Sequence, residues 1–222
     1  MCWNENISLN TFVAGTAILL FIWYNNTYTP YKLPEFKNGW FYFLLFSFTS
    51  IQLVEFFLWK SIRTKNNTMN RLFSMLGWLF IRVIQPLFLI LLIPKKYDIL
   101  KKGLFLFYFS VLTIVSMYKN TYNPVSFKTT IDKNGHLYWT WIDLFHYEQI
   151  LFLLYLLLIL VLSFTSTLYI YCVLYILFLL VSYFVYQNTF GSMWCWISNT
   201  VLLFFLIKIL IILPYLEKNK LC

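Results

Sequence analysis

The stretch GWFYFLLFSFTSIQLVEFFLW, residues 39–59, carries one Asp, Glu, Lys or Arg side chain, Glu55. An α-helix needs roughly 17–25 mostly apolar residues to cross a bilayer, and this stretch supplies them without interruption. Similar runs lie at about 7–24, 72–93, 103–118 and 192–214. The apolar stretch 149–187 is too long for one crossing, since about 39 residues would rise ~58 Å. Ser163, Thr165, Ser166 and Thr167 near its middle split it into two helices, about 148–163 and 167–187. The first run has no basic segment before it and no small-x-small cleavage site after it, so it reads as a retained anchor.

Composition points the same way. The chain is 61% hydrophobic and 23% aromatic with 11% charged residues, and its mean hydropathy is +0.71. A soluble domain averages about 25% charged residues and could not hide this much apolar surface in one core. The expected fold is therefore an all-α integral membrane protein, one polytopic domain over residues 1–222 with a bundle of about seven transmembrane helices. The fourth run is short, and Lys101 and Lys102 before it are expected to snorkel and extend it. Ala14 and Ala17 are the only alanines, against 24 Phe and 17 Tyr. Phe, Tyr, Ile, Asn and Lys have AT-rich codons, which suggests a source such as a large DNA virus, a protist or an endosymbiont. The net charge of +9 sits in short loops beside apolar runs, where lysines set topology and meet anionic headgroups. A nucleic-acid partner is not expected.

One sizeable loop, 119–147, separates the fourth and fifth runs. Val125, Phe127, Thr129 and Ile131 alternate with polar residues, and Asn134-Gly135 precedes Leu137-Tyr138-Trp139. Asn-Gly between alternating runs signals a hairpin. We expect a β-hairpin on the membrane surface, with Trp139 and Trp141 turned to the interface. Lys and Arg divide almost evenly between the two faces. The first run has no basic residue before it and Lys32 and Lys37 after it, which predicts an outside or luminal N-terminus and a cytosolic C-terminus.

Ionisable groups inside a membrane are costly and functional by default. Glu55 follows Gln52 by one turn in the second run, and Arg82 precedes Gln85-Pro86 in the third. These four residues form the expected polar core, either through a Glu55–Arg82 ion pair or as a path for protons or ions. Lys208, near the end of the last helix, is expected to snorkel. Cys172 reads as a packed thiol. Cys2 and Cys195 adjoin Trp3 and Trp194 at one face, as a disulfide or as two free interfacial thiols. His136 and His146 reach that face from the loop, so His136, His146 and Trp139 are candidate lid or ligand residues. A metal held by these His, Cys and Glu55 side chains lacks any close ligand spacing. No nucleophile elbow, P-loop, zincin box or dinucleotide fingerprint is present.

A lysine in the last run and an arginine in the third resemble the pattern of microbial rhodopsins. Those proteins place a carboxylate one turn after the arginine, where this chain has Gln85, and an acidic partner one turn before the lysine, where it has Phe204; retinal is therefore disfavoured. The pieces Met1-Cys2-Trp3-Asn4, Gln52 with Glu55, Gln85-Pro86-Leu87-Phe88, Gly135-His136-Leu137-Tyr138-Trp139 and Trp194-Cys195 resemble an uncharacterised seven-span membrane-protein family whose members begin Met-Cys-Trp. That resemblance implies a shared fold and a shared outward cluster, and no activity. The expected role is a small transporter, channel-like or ligand-sensing protein, alone or as a homo-oligomer. A structural membrane protein of a virion or host organelle and a metal-dependent membrane enzyme are the alternatives.

Overall fold

Asn4 starts the first helix by accepting the Ile7 amide at 3.1 Å, and Thr29-Pro30 ends it, since proline cannot continue a helix. In the computed structural model, which describes residues 4–122, 127–142 and 147–218, the helices are α1 (Glu5–Tyr28), α2 (Gly39–Arg63), α3 (Asn67–Leu79), α4 (Gln85–Leu92), α5 (Asp98–Tyr122), α6 (Tyr147–Thr165), α7 (Tyr169–Tyr186), α8 (Phe190–Ser198), α9 (Thr200–Ile207) and α10 (Leu213–Lys218). Strands β1 (Thr129–Ile131) and β2 (Leu137–Trp139) pair antiparallel. Five helical runs are long and apolar enough to cross a membrane: Glu5–Tyr28, Gly39–Arg63, Asn67–Leu92, Lys95–Lys119 and Tyr169–Lys218. A shorter apolar helix covers Gln149–Thr165.

The outside of this body is apolar. Ile99, Leu106, Ile114 and Met117 of α5, and Phe184, Val185 and Ile211 further on, are exposed. A water-soluble protein covers such a surface, whereas hydrocarbon solvates it. The helix α2 is the opposite case and lies at the centre, buried right round from Ser47 to Gln52, although Phe43 and Phe46 remain exposed. α1 contacts it through a narrow stripe (Ser8, Gly15, Leu19, Ile22, Asn25). Gly15 is required there, because a Cβ would lie 2.8 Å from the Thr49 methyl.

Neighbouring helices run antiparallel, as their ring contacts show. Phe57 near the end of α2 stacks on Phe73 near the start of α3 at 4.3 Å, and Trp40 at the start of α2 stacks on Phe88 in α4 at 6.0 Å. Tyr183 near the end of α7 meets Phe190 at the start of α8, while Tyr171 near the start of α7 stacks on Phe205 in α9. The 50-residue run Tyr169–Lys218 therefore reverses direction. It does so at Gln187, whose φ of 43° opens a 3-10 turn to Thr189. The other expected break is also present: α6 and α7 are separated at 166–168, where the Ser166 hydroxyl accepts the Leu168 amide at 3.0 Å.

Two helices contain π-turns upstream of a proline, Phe80–Ile84 before Pro86 and Lys208–Ile212 before Pro214. Proline has no N–H and crowds the carbonyl four residues back, so residue 86 cannot donate to the Arg82 carbonyl. The Tyr108 hydroxyl of α5 donates to it at 3.2 Å instead.

The fourth run is longer than expected, because α5 begins at Asp98. Lys101 does not extend that helix by snorkelling. Its Nζ turns back and donates to the Leu91 and Ile93 carbonyls, each at 3.1 Å, closing the end of α4. Lys102 pairs with Asp98 at 2.7 Å.

The hairpin forms as expected, though not on the surface. Its turn is a four-residue Asp132–Gly135 turn closed by the Gly135 amide on the Asp132 carbonyl at 2.9 Å, with Gly135 at φ 80°. Asn-Gly thus serves a three-residue loop with a glycine bulge rather than a two-residue turn. Leu137, Trp139 and Trp141 are each 1% exposed, and the two tryptophans stack at 5.1 Å. They point into the helical body, where Trp141 lies 3.3 Å from the position a Gly77 Cβ would take. Asn70 of α3 fixes the strand by donating to the Thr129 carbonyl at 3.0 Å and accepting its amide at 2.9 Å. Asn134 donates to Thr189 at 2.8 Å. The hairpin is therefore a plug in one end of the helical body. That end also holds the Glu5–Arg63 ion pair at 2.6 Å.

Candidate functional site

Inside the plug, α2, α4, α6, α7 and α8 turn a set of buried polar side chains toward one another. Gln52 and Glu55 lie three residues apart on α2 and so share a face. Glu55 is eight residues from the end of α2, about 12 Å below the hairpin end. Ser192 of α8 and Gln52 are the polar neighbours of its carboxyl, and the Cys195 thiol lies close by. Cys195 also neighbours the Gln85 amide. Gln85 accepts the Tyr155 hydroxyl of α6 at 3.3 Å. Tyr155 meets Trp194 edge-on at 5.1 Å, and Phe48 stacks on Tyr175 at 5.2 Å to complete the aromatic floor.

Much of this cluster is unsatisfied. Both ends of the Gln52 amide, Glu55 Oε1, Gln85 Nε2, the Tyr175 hydroxyl and Trp194 Nε1 are buried without a hydrogen-bond partner. Gln52 and Gln85 are fully buried and Glu55 is 4% exposed. Each such group costs about 1–3 kcal/mol, so native proteins keep few of them, and each needs an explanation. Several within one constellation mark a place able to bind.

Glu55 and Arg82 do not form the expected ion pair. Arg82 is buried, but the π-turn carries it toward α5, beside Tyr108. Glu55 faces α8. One element separates them by turning its face, which depth arithmetic along straight helices could not anticipate. Cys195 is a free and fully buried thiol rather than an interfacial one. Cys2 and His146 lie outside the described residues. His136 sits on the shoulder of the hairpin turn, edge-on to Tyr186 at 5.4 Å. It belongs to the plug without reaching Glu55, and Trp139 forms the body of that plug. Burial pushes the His136 imidazole below its ordinary value. Among the described residues, no three His, Cys, Asp or Glu side chains gather as metal ligands.

Sequence reading missed a second polar site at the opposite end. Pro34–Lys37 forms a 3-10 turn anchored by Leu33 and Phe36, both buried, with Phe36 packed on Phe41, Tyr42 and Phe205. Between those anchors Glu35 is carried inward. Its Oε1 accepts Lys208 Nζ in a short ion pair and the Tyr171 hydroxyl at 2.7 Å, while Oε2 is buried without a partner. Lys208 is thus a partner of Glu35, not a snorkelling lysine. Burial acts to raise the Glu35 carboxyl, but the bonds from Lys208 and Tyr171 outweigh it and hold it below the usual carboxylate value.

A narrow apolar cavity lies between the two sites, lined by Tyr171, Cys172 and Leu168 at one end and by Tyr155, Tyr175 and Trp194 at the other. At about 10 Å³ it has room for about one water molecule. A larger hollow of about 300 Å³ is an open groove between α1 and α9, lined by Asn10, Thr11 and Trp196 among others, and contains none of the cluster.

Comparison with known proteins gives no further guide to the site: no family model, no curated protein and no solved structure matches this chain.

Proposed function

We propose that the chain is a multi-pass membrane protein of seven crossings that conducts or transports a proton or a small cation through the Glu55 cluster. The seven-crossing reading rests on length and direction. The run Tyr169–Lys218 would rise ~75 Å if straight, more than twice a ~30 Å hydrocarbon core. Its reversal at Gln187 makes two crossings of it, and α6 adds another with its 19 residues. On this reading the hairpin end is the outside or luminal one.

The observation that carries the functional reading is Glu55 itself: an ionisable side chain at the centre of the helical body, among buried polar groups that lack partners. Ionisable groups held at such depth mark ion and proton paths. Size selects the species. The enclosed space beside the cluster takes about one water, which suits a proton or a small cation and excludes a metabolite in this conformation. The sequence pieces that resemble the Met-Cys-Trp family, Gln52 with Glu55, Gln85-Pro86 and Trp194-Cys195, meet in this cluster, and Leu137 and Trp139 form its plug. We propose membership of that family on this convergence; it adds no activity of its own.

The test is flux in proteoliposomes under an imposed proton or potassium gradient. Wild-type protein should dissipate one of them faster than protein-free vesicles, and Glu55→Gln should slow it at least tenfold. Wild-type flux at the protein-free level, or undiminished flux in Glu55→Gln, overturns the proposal.

A further inference from the structure

Glu35, Lys208 and Tyr171 stand where a path from the Glu55 cluster would leave the protein. The cavity begins beneath Tyr171, runs along Cys172, and ends on Tyr155 and Trp194; Tyr155 is bonded to Gln85 of the cluster. The hairpin plug occupies the other end. A species released from the cluster away from the plug therefore meets an apolar void with room for about one water and then the ion pair.

The pair has the properties of a latch rather than a strut. Its members come from elements far apart in the chain, a short 3-10 turn and the last long helix. Lys208 opens the π-turn Lys208–Ile212, a local geometry frequent at functional sites. The Lys208 and Glu35 side chains are 20% and 11% exposed, enough for water to reach them without passing beyond. Glu35 Oε2, buried and without a partner, leaves the carboxyl an open acceptor for a new donor when Lys208 departs. Tyr171 ties the latch to the passage, because its hydroxyl holds Glu35 and its ring lines the cavity.

We infer that Glu35, Lys208 and Tyr171 form a gate that seals the opposite end of the protein, and that parting Lys208 from Glu35 frees the Tyr171 ring and admits water to the cavity. The gate rests on the proposed path through Glu55, since it regulates access to that site. An apolar constriction of this kind closes by excluding water and opens when wetted.

The chain carries its own reporter. Cys172 lines the cavity directly behind Tyr171 and is 4% exposed with a free thiol. In proteoliposomes, a small charged methanethiosulfonate should label Cys172 of the wild type slowly, with labelling read site by site by mass spectrometry. Glu35→Gln and Lys208→Met should each speed Cys172 labelling at least tenfold and leave Cys195 protected. The double exchange Glu35→Lys with Lys208→Glu should return it toward the wild-type rate. Cys172 labelling at the wild-type rate in both single variants overturns the gate. So does labelling of Cys172 and Cys195 together, which reports a general loosening. Labelling needs no flux, so the gate and the transport proposal fail separately: absent flux with a latch-dependent Cys172 removes only the latter.

Discussion

Replacing Tyr108 with phenylalanine removes one oxygen and tests the account of the π-turn. That hydroxyl donates at 3.2 Å to the Arg82 carbonyl, to which residue 86, a proline, cannot donate. Tyr108 is 1% exposed, so no water replaces the lost bond. Leaving a buried acceptor unpaired costs about 1–3 kcal/mol, while side-chain bonds between membrane helices average ~0.6 and reach ~1.7 kcal/mol. A loss of about 1–2 kcal/mol is expected. By the ~2–4 °C per kcal/mol typical of this chain length, the melting temperature should fall by roughly 2–8 °C, measured by tryptophan fluorescence in detergent. A second substitution makes the test specific. Pro86→Ala restores an N–H four residues after Arg82, so Tyr108→Phe should cost about 1 kcal/mol less in that background. An equal loss in both backgrounds, or a shift below about 1 °C from Tyr108→Phe alone, would refute the link between the proline and the hydroxyl.

Two further predictions concern the close approach of α1 and the latch. Gly15→Ala should destabilise by about 1–3 kcal/mol, because the new Cβ would meet a Thr49 side chain already held by Asn199 at 2.9 Å; a change within about 0.5 kcal/mol would show that α1 simply moves aside. The Glu35 carboxyl is held below its ordinary value of 4.5 by Lys208 and Tyr171, the groups that face it. Its contribution is therefore complete above that value and is lost as pH falls through the lowered one. Because only the thiolate reacts, Cys172 labelling is read relative to a free thiol at the same pH. That ratio should stay flat down to the ordinary carboxylate range and rise only below it, and a rise of the ratio at neutral pH would contradict this.

Hydropathy located the helical runs because solvent exclusion acts on composition alone. The stretch 39–59 became Gly39–Arg63, and the split near Ser163–Thr167 became a turn at 166–168. Turn chemistry located the hairpin through Asn134 and Gly135. Neither signal carries direction. Alternation put Leu137 and Trp139 on one face of a strand, but it could not say whether lipid or protein covers that face; α3 and α8 do. Pro86 was visible as a helix breaker, yet the turn it sends Arg82 through depends on where Tyr108 arrives from another helix. Glu35 was hidden for the plainest reason. It lies in a short charged linker, and its partner stands 173 residues later. A clue existed in its setting between the apolar Leu33 and Phe36, opposite the one lysine of an otherwise apolar run.

The stripe by which α1 is held has a consequence for how the chain is made. Thr11 of α1 accepts Trp196 across 185 residues, and Thr49 of α2, against which Gly15 packs, bonds Asn199 across 150, so α1 is fastened partly by one of the last helices. At synthesis rates of about 5–20 residues per second, Thr11 spends roughly 10–40 s without its Trp196 contact. For most of that interval Glu35 lacks Lys208. The nascent protein thus displays an unpaired carboxylate and an uncovered helix face until Lys208 emerges, a mark by which an unfinished chain differs chemically from a finished one.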